Sequence, residues 1–180
     1  EAGRGPLAGP VVAAAVILPF GKNFPGVNDS KQLSPEQREI FFAQILKQAV
    51  SFGFGVVEPA EIDRMNILRA SLKAMRLSIE NLKKRPDMIL VDGRQVVPLI
   101  PVRQQAIVKG DSLSLSIAAA SILAKVHRDR LMQQLAKEYP QYAFDLHKGY
   151  GTAEHLAALK AHGPSPIHRL SYRGVVKEWI

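Results

Sequence analysis

Two short apolar segments of this 180-residue chain each end at an aspartate beside a glycine. Asp92 follows the apolar run 88–91 and precedes Gly93, while Asp111 closes the run 105–110. Apolar runs of this length predict buried strands. Because ligands of open α/β sheets gather beyond the carboxyl ends of strands, we expect the two carboxylates to face one cleft. Taken singly, an aspartate beside a glycine is also typical of a simple turn.

The chain is basic, with a formal net charge of +8 and a pI near 9.9. Such a surface favours a polyanionic partner, with nucleic acid ahead of an anionic membrane, although a merely soluble basic protein would have the same charge. Convergent carboxylates in a cationic chain are typical of a divalent metal acting on a phosphate. Carboxylate oxygens suit Mg²⁺ or Mn²⁺, and a pair of such ions can assist phosphodiester hydrolysis.

Several classes of protein are excluded by what the sequence lacks. There are no cysteines, which rules out disulfides, thiolate metal sites and cysteine nucleophiles. A cysteine-free chain suits a reducing compartment, so we expect a cytoplasmic protein. No apolar run reaches the ~18 residues of a membrane span, and no signal-peptide pattern is visible. The first residue is Glu1 and not methionine, so we expect the natural chain to begin upstream.

The pattern of apolar residues predicts an α/β fold with a mixed sheet flanked by helices and a small helical C-terminal appendage. The apolar content of 47% is enough for a core. Strands are expected over 11–18, 51–57, 88–91 and 102–108. Helices are expected from Pro35, with Ser34 as N-cap, from Pro59, over 112 to about 137, and over 152–162. The helix from Pro59 should carry one apolar face, made of Leu68, Leu72, Met75, Ile79 and Leu82. We assign residues 1–140 to the main domain and 141–180 to the appendage.

Six ordered segments of the chain closely resemble the motifs of ribonuclease HII. They are residues 1–11, which contain Gly3-Arg4-Gly5, then 28–31, 91–93, 108–111, 118–129 and 147–151. The resemblance spans nearly the whole chain and implies a ribonuclease H-like fold. It also implies a metal-dependent endonuclease that hydrolyses RNA in RNA–DNA hybrids and nicks 5′ of single ribonucleotides in duplex DNA. The products would carry a 3′-hydroxyl and a 5′-phosphate.

The same resemblance implies that Glu1, Asp92 and Asp111 are catalytic metal ligands for two Mg²⁺ or Mn²⁺ ions. The family places an aspartate directly before the residue that matches Glu1, in a central strand of the sheet. We therefore expect a polypeptide that begins at Glu1 to cleave poorly. Robust Mg²⁺-dependent turnover by residues 1–180 alone would contradict this expectation.

The resemblance further implies a set of nucleic-acid contacts, each of which has a structural alternative. Glycines 3 and 5 let the backbone approach a sugar closely, and the family uses Gly3, Arg4 and Gly5 at the 2′-hydroxyl; otherwise they form a glycine-rich turn. Tyr150 would stack on the ribonucleotide junction or simply pack on the appendage. Phosphate contacts are implied for Lys31, Ser121 and Lys125, although Lys125 would also suit a solvated position.

Asp129 is expected to be a structural ion-pair partner, flanked by Arg128 and Arg130. The five histidines lack cysteine partners, and we interpret them as surface or structural residues and not as zinc ligands. His168 and Arg169 are candidates to brace the tail.

Two other functions remain open at this point. A non-catalytic nucleic-acid-binding module would show salt-sensitive binding without cleavage, and a DNA-specific nuclease of the same fold would ignore ribonucleotides. We expect a monomer.

Overall fold

The structure is a computed structural model that describes residues 1–27, 30 and 32–176. Strands and helices are interspersed along this part of the chain up to β4, and only helices follow it. The strands are β1 (Val11–Ile17), β2 (Ser51–Val57), β3 (Met88–Asp92) and β4 (Arg103–Ile107). The helices are α1 (Pro35–Gln48), α2 (Pro59–Met65), α3 (Ile67–Glu80), α4 (Gly110–Leu113), α5 (Leu115–Glu138), α6 (Phe144–His147) and α7 (Ala153–His162), with a 3₁₀ turn at Pro140–Tyr142.

The strands pair in both directions. β1 and β2 are antiparallel, with Val11 opposite Val57 and Ile17 opposite Ser51. β3 and β4 are parallel, with Asp92 opposite Ile107 at their carboxyl ends. Both pairings of a mixed sheet are therefore present, but the described strands form two separate pairs. A groove of about 860 Å³ lies between β1 and β3, with α3 and α5 contributing to its walls.

Helix α1 begins where the sequence predicts, because its first turn satisfies its own amides. The Ser34 hydroxyl accepts from the Gln37 amide at 3.2 Å, and the Gln37 side chain accepts from the Ser34 amide at 2.9 Å. This reciprocal pair is a capping box, and Pro35 stands at the first helical position, where a missing amide hydrogen costs nothing. The helix buries Phe42 and Ile45 against Ile122 and Leu123 of α5.

The predicted single helix from Pro59 is two helices, because the chain turns sharply at Asn66. Asn66 has φ +73° and ψ 162°, a positive-φ conformation that ends α2. Its side-chain oxygen then accepts from the amides of Leu68 and Arg69 at 3.0 and 3.1 Å, which caps the start of α3. Asparagine suits both tasks, since it tolerates positive φ and is among the best N-caps.

Helix α3 packs most closely through small residues that lie beside its predicted apolar face. Its most buried residues are small, namely Ala70, Ser71, Ala74 and Ser78. They lie against β2, where a Cβ added to Gly55 would stand 2.0 Å from the Ala74 carbonyl oxygen. The helix backbone thus rests almost directly on the strand. The larger side chains of Met75, Ile79 and Leu82 line the groove instead, and Leu68 is exposed.

The predicted helix over 112–137 is also interrupted, at Ser114, which is extended between α4 and α5. From Leu115 onward α5 is continuous. Its small and apolar centre is buried as expected, including Ala119, Ile122, Leu123 and Ala124, which are fully inaccessible. The helix packs on β1 and α1 and also contacts α4 and α6, so it lies at the centre of the packing.

The C-terminal elements share a core with the rest of the chain. Tyr142, Phe144 and Leu159 cluster with Met132 of α5 and with Ala8 from the N-terminal segment. The expected helical appendage is thus packed on the main domain, whereas the boundary near residue 140 stays a prediction. None of the helices in the described part of the chain has the length and hydropathy that crossing a membrane requires.

Candidate active site and nucleic-acid interface

Two of the three predicted acids lie on the groove between β1 and β3. Asp92 stands at the carboxyl end of β3, and Glu1 lies just before the bridge that pairs Ala2 with Val12 of β1. One Asp92 oxygen accepts from the amide of Gly110 at 2.9 Å. This bond ties the end of β3 to the first residue of α4, whose second residue is Asp111. The structure therefore brings Asp92 next to the segment that carries Asp111.

The Gly110 position explains why a glycine precedes Asp111. A Cβ there would stand 2.5 Å from the Ile117 side chain and 3.3 Å from the Asp92 oxygen. A larger residue would separate the amide from the carboxylate. The sequence pattern of glycine beside aspartate is thus used for close approach at this position, and not only for a turn.

The acids fit an open site for a hard divalent cation better than a closed protein cage. Among the described residues, no three acidic or imidazole side chains are gathered closely enough to hold a metal by themselves. Mg²⁺ commonly takes one or two protein carboxylates and completes its shell with waters and substrate phosphates. Glu1 and Asp92 on one groove, with Asp111 beside it, match that pattern, and all three offer only oxygen donors. Their role as ligands remains a prediction.

The predicted Gly3-Arg4-Gly5 segment is held from behind by two buried arginines. Arg169 is completely inaccessible and donates to the carbonyls of Gly3 at 2.6 Å, Arg4 at 3.0 Å and Gly9 at 2.8 Å. The carbonyls of this segment therefore point inward. Arg4 and Gly5 are exposed, and no hydrogen bond within the described part of the chain engages their amides. Two amides are thus presented on the outer side.

Arg128 supports the same loop from α5. Its guanidinium donates to the carbonyls of Ala8 at 3.1 Å and Pro10 at 2.9 Å. Burial, together with the positive charge of Arg169, lowers the pKa of Arg128 to about 10, so it is protonated at neutral pH. Its third hydrogen bond, at 3.0 Å, goes to the carbonyl of Lys148, which joins this loop to the segment that carries Tyr150.

Sequence reasoning placed Arg128 and Arg169 near the tail or beside Asp129 and missed their support of this loop. A signal was present for Arg128. It falls four residues after Ala124 and four before Met132, both fully buried, so it belongs to the buried face of α5. A charge on such a face must find partners, and here the partners are backbone carbonyls.

Tyr150 lies beside Gly5, which brings two predicted nucleic-acid contacts together. Its ring would be 3.6 Å from a Cβ at Gly5, and its side chain is 46% exposed. The Leu7 amide donates to the Gly149 carbonyl at 2.8 Å, which fastens the loop to the tyrosine's segment. The exposed ring and the exposed amides thus share one surface.

The remaining predicted contacts lie on or near α5. Ser121 lines the groove with Glu1 and Asp92, and its hydroxyl is 3.0 Å from that of Ser30. Lys125 pairs with Asp129 at 2.8 Å, which confirms Asp129 as an ion-pair partner, although its partner is not one of the flanking arginines. Lys31, with its neighbours 28 and 29, lies outside the described residues.

Comparison with known proteins assigns the family. A family model described as Ribonuclease HII matches residues 1–175. The ribonuclease HII of Geobacter sulfurreducens is 61% identical over 175 residues, which cover 97% of this chain and 80% of the relative. That of Syntrophobacter fumaroxidans is 57% identical, over 97% of this chain and 75% of the relative.

Solved structures agree in fold. The ribonuclease H2 of Pyrococcus horikoshii OT3 is similar with a TM-score of 0.80 and 31% identity, over 97% of this chain and 92% of that one. The ribonuclease HII in a complex with PCNA from Archaeoglobus fulgidus gives a TM-score of 0.75 and 26% identity, over 96% and 92%. The predicted family and fold are thus confirmed. This chain belongs to the ribonuclease HII family, metal-dependent endonucleases of the ribonuclease H fold that hydrolyse RNA in RNA–DNA hybrids.

Proposed function

We propose that this chain also nicks duplex DNA 5′ of a single embedded ribonucleotide, with hydrolysis and recognition at adjoining places on one surface. The observation that carries the proposal is the position of Glu1. Its carboxylate lies on the groove that it shares with Asp92, and two residues later the chain enters the Gly3–Gly5 loop beside Tyr150. A sugar recognised by that loop would therefore have its phosphate close to the acids.

Hydrolysis is assigned to Glu1, Asp92 and Asp111 as ligands of two Mg²⁺ or Mn²⁺ ions. Bound divalent ions supply Lewis acidity and lower the pKa of a coordinated water. The protein's own contribution is orientation. The Gly110 amide occupies one oxygen of Asp92, so the other oxygen is directed elsewhere, and α4 fixes Asp111 one residue further along. The expected products carry a 3′-hydroxyl and a 5′-phosphate.

Recognition is assigned to the exposed amides of Arg4 and Gly5 and to the ring of Tyr150. A 2′-hydroxyl both donates and accepts hydrogen bonds and is the group that distinguishes RNA from DNA. Backbone amides can reach it closely only where no side chain intervenes, which suits Gly5. The tyrosine ring offers a stacking surface beside that contact. Ser121 and Lys125 lie along α5 where a phosphate backbone that follows the groove would pass.

The metal assignment can be tested with Asp92→Asn and Asp111→Asn in the full-length natural chain. Each change keeps the side-chain shape and removes one charge. We expect cleavage of both a uniform RNA–DNA hybrid and a single-ribonucleotide duplex to fall by at least about 1,000-fold, because a ligand lost from a two-ion site disables charge stabilisation at the phosphate. Hybrid binding, measured by fluorescence anisotropy, should persist.

Asp145→Asn is the matched control, since Asp145 is exposed on α6 and away from the groove. A variant at 92 or 111 that retains cleavage within about tenfold of the control would remove that residue from the site. An all-DNA duplex serves as the substrate control and should not be cut.

We also propose that the chain acts as a monomer.

A further inference from the structure

Three histidines of the C-terminal elements are buried and have no part in the proposed function. His155 and His168 are 0% and 2% exposed, and their Nε2 atoms face each other at 3.0 Å. His147 stacks on the His155 ring with the centroids 4.6 Å apart. The rings of Tyr142 and Phe144 enclose the group. Buried polar groups of this kind are stable only when they are hydrogen-bonded.

The protein fixes the protonation of this pair from both ends. The Nδ1 atom of His168 lies 2.9 Å from the Ser165 amide, which can only donate, so that Nδ1 carries no proton and the Ser165 hydroxyl, 2.8 Å away, must donate to it as well. The Nδ1 atom of His155 lies 2.9 Å from the Tyr150 carbonyl, which can only accept, so that Nδ1 carries one. In neutral rings His168 then has its proton on Nε2 and His155 has a bare Nε2. The tautomers required at the two ends are therefore compatible, and the Nε2–H of His168 donates to Nε2 of His155.

The chain of hydrogen bonds therefore runs from Ser165 through the rings of His168 and His155 to the backbone carbonyl of Tyr150. We call this chain the relay. We propose that His155, oriented by His168, is a positioning residue that fixes Tyr150 for recognition of the ribonucleotide. This inference rests on the recognition role proposed above for Tyr150.

The geometry around Tyr150 shows why such a support is needed. Glycines flank the tyrosine on both sides, and Lys148 and Gly149 have φ of +51° and +84°. A segment with that freedom does not hold an exposed ring in place by itself. Hydrogen bonds to successive backbone groups hold the segment 149–150 in place. The Gly149 amide donates to His147 Nδ1 at 3.2 Å, and the Tyr150 carbonyl accepts from the Thr152 amide at 2.8 Å as well as from His155.

The environment supports the neutral form that the relay requires. Burial lowers the pKa of both rings, that of His168 to about 4, with the neighbouring His155 as the second cause. Protonation of His155 at Nε2 would place two N–H groups opposite each other at 3.0 Å. The relay is thus intact at neutral pH.

The first test reads the relay in the unmodified protein. Side-chain ¹⁵N NMR at pH 7 should show His155 as the Nδ1–H tautomer and His168 as the Nε2–H tautomer, both neutral. The opposite tautomer, or a charged ring, at either position would overturn the proposal. This measurement does not depend on any variant folding or on cleavage.

The second test separates positioning from general support by comparing two substrates. His155→Phe keeps a ring of similar volume and removes both nitrogens, while His155→Asn restores a donor near the Nδ1 position. We expect kcat/KM on a single-ribonucleotide duplex to fall about tenfold more than on a uniform hybrid for the Phe variant, with partial recovery in the Asn variant. His162→Asn is the matched control, because His162 is exposed on the same helix.

Tyr150→Ala distinguishes failure of this proposal from failure of the recognition role itself. If Tyr150→Ala lowers cleavage of both substrates equally, Tyr150 is not the junction sensor and the relay has nothing to position. If Tyr150→Ala is selective while His155→Phe lowers both substrates equally or neither, the relay is structural and the present inference is wrong.

Discussion

The support of the Gly3–Gly5 loop by Arg169 can be measured as stability. Arg169→Met keeps an unbranched chain of similar length but removes every donor. Apart from the Tyr172 hydroxyl at 3.1 Å, its acceptors cannot be removed with it, because they are backbone carbonyls. The Arg4 carbonyl would keep the Tyr172 hydroxyl as a donor at 2.7 Å, whereas those of Gly3 and Gly9 would lose the guanidinium.

The expected cost follows from those two buried carbonyls. A buried acceptor left without a donor costs about 1–3 kcal/mol, so the pair amounts to about 2–6 kcal/mol. Removal of a buried charge offsets part of this cost, since burial already disfavours the charged form, as the lowered pKa of Arg169 indicates. We therefore expect the free energy of unfolding to fall by about 2–4 kcal/mol, a large share of the ~5–15 kcal/mol typical of a domain.

Urea unfolding followed by circular dichroism measures this change, with Arg173→Met as the control, because Arg173 is exposed in the same tail. Arg169→Lys should recover less than half of the loss, since a single ammonium cannot span the three carbonyls that the guanidinium fork reaches. A loss below about 1 kcal/mol for Arg169→Met, or one equal to that of the control, would refute the argument that these carbonyls depend on Arg169.

Two further predictions concern packing and pH. Gly55→Ala should lower the free energy of unfolding by about 2–3 kcal/mol, because its Cβ would meet the Ala74 carbonyl at 2.0 Å and the Ser78 amide at 2.7 Å. Gly21→Ala, at an exposed glycine with φ +72° and nothing within 4 Å, should cost only about 1 kcal/mol of backbone strain, and equal losses would contradict the close packing of α3 on β2. Stability should also fall as the pH drops from about 6.5 to about 4, since the unfolded chain takes up a proton at His168 before the folded protein does. The two pKa values correspond to a loss on the order of 3 kcal/mol, present in full below about pH 4. If His168→Asn shows the same fall over this pH range as the unaltered protein in urea titrations, the assignment to His168 is wrong.

The sequence predicted correctly those elements whose start or extent depends on residues close together in the chain. The Ser34–Gln37 capping box and the strand over 51–57 are where the residues indicate, because each depends on neighbours in the chain. The breaks at Asn66 and Ser114 were missed for the converse reason. Apolar residues recur across both positions, so the periodicity continues where the backbone does not. At Asn66 the residue type was itself a signal, since asparagine favours both positive φ and the N-cap.

The close packing of α3 on β2 was missed for a different reason. A search for helical periodicity detects large apolar residues first. On α3 and just beyond it, these are the regularly spaced Leu72, Met75, Ile79 and Leu82. The helix instead packs through alanines and serines, because Gly53 and Gly55 leave β2 without side chains on that face. The two glycines stand two residues apart, which places them on one face of a strand. That spacing was visible in the sequence, but its partner helix was not.

The site residues also divide into those with a local signal in the sequence and those placed by contacts between distant residues. The sequence placed Asp92 at the end of a strand, as the structure has it, because an aspartate after a strand carries a local signature, whereas the role of the three acids as metal ligands stays a prediction. The family assignment removes the two alternatives of a binding module and a DNA-specific nuclease. The supports of the site could not be predicted from the sequence. Arg169 reaches Gly3 across 166 positions and Arg128 reaches Ala8 across 120. His155 and His168 could be identified as a pair only after α7 and the tail had been placed together.

The choice of arginine for these supports has an electrostatic consequence for the recognition surface. Carbonyl oxygens, with one phenol, accept the hydrogen bonds of Arg128 and Arg169, so these bonds do not neutralise either charge. Two positive charges therefore stand directly behind a loop whose outer side presents amides. A charge in a poorly polarisable interior acts over a longer distance than one in water. Carboxylate partners would have held the arginines equally well but would have cancelled this field where a phosphate must approach. Neither buried arginine hydrogen-bonds a carboxylate of the neighbouring groove; the arginine that pairs with Glu1, at 3.5 Å, is the exposed Arg4.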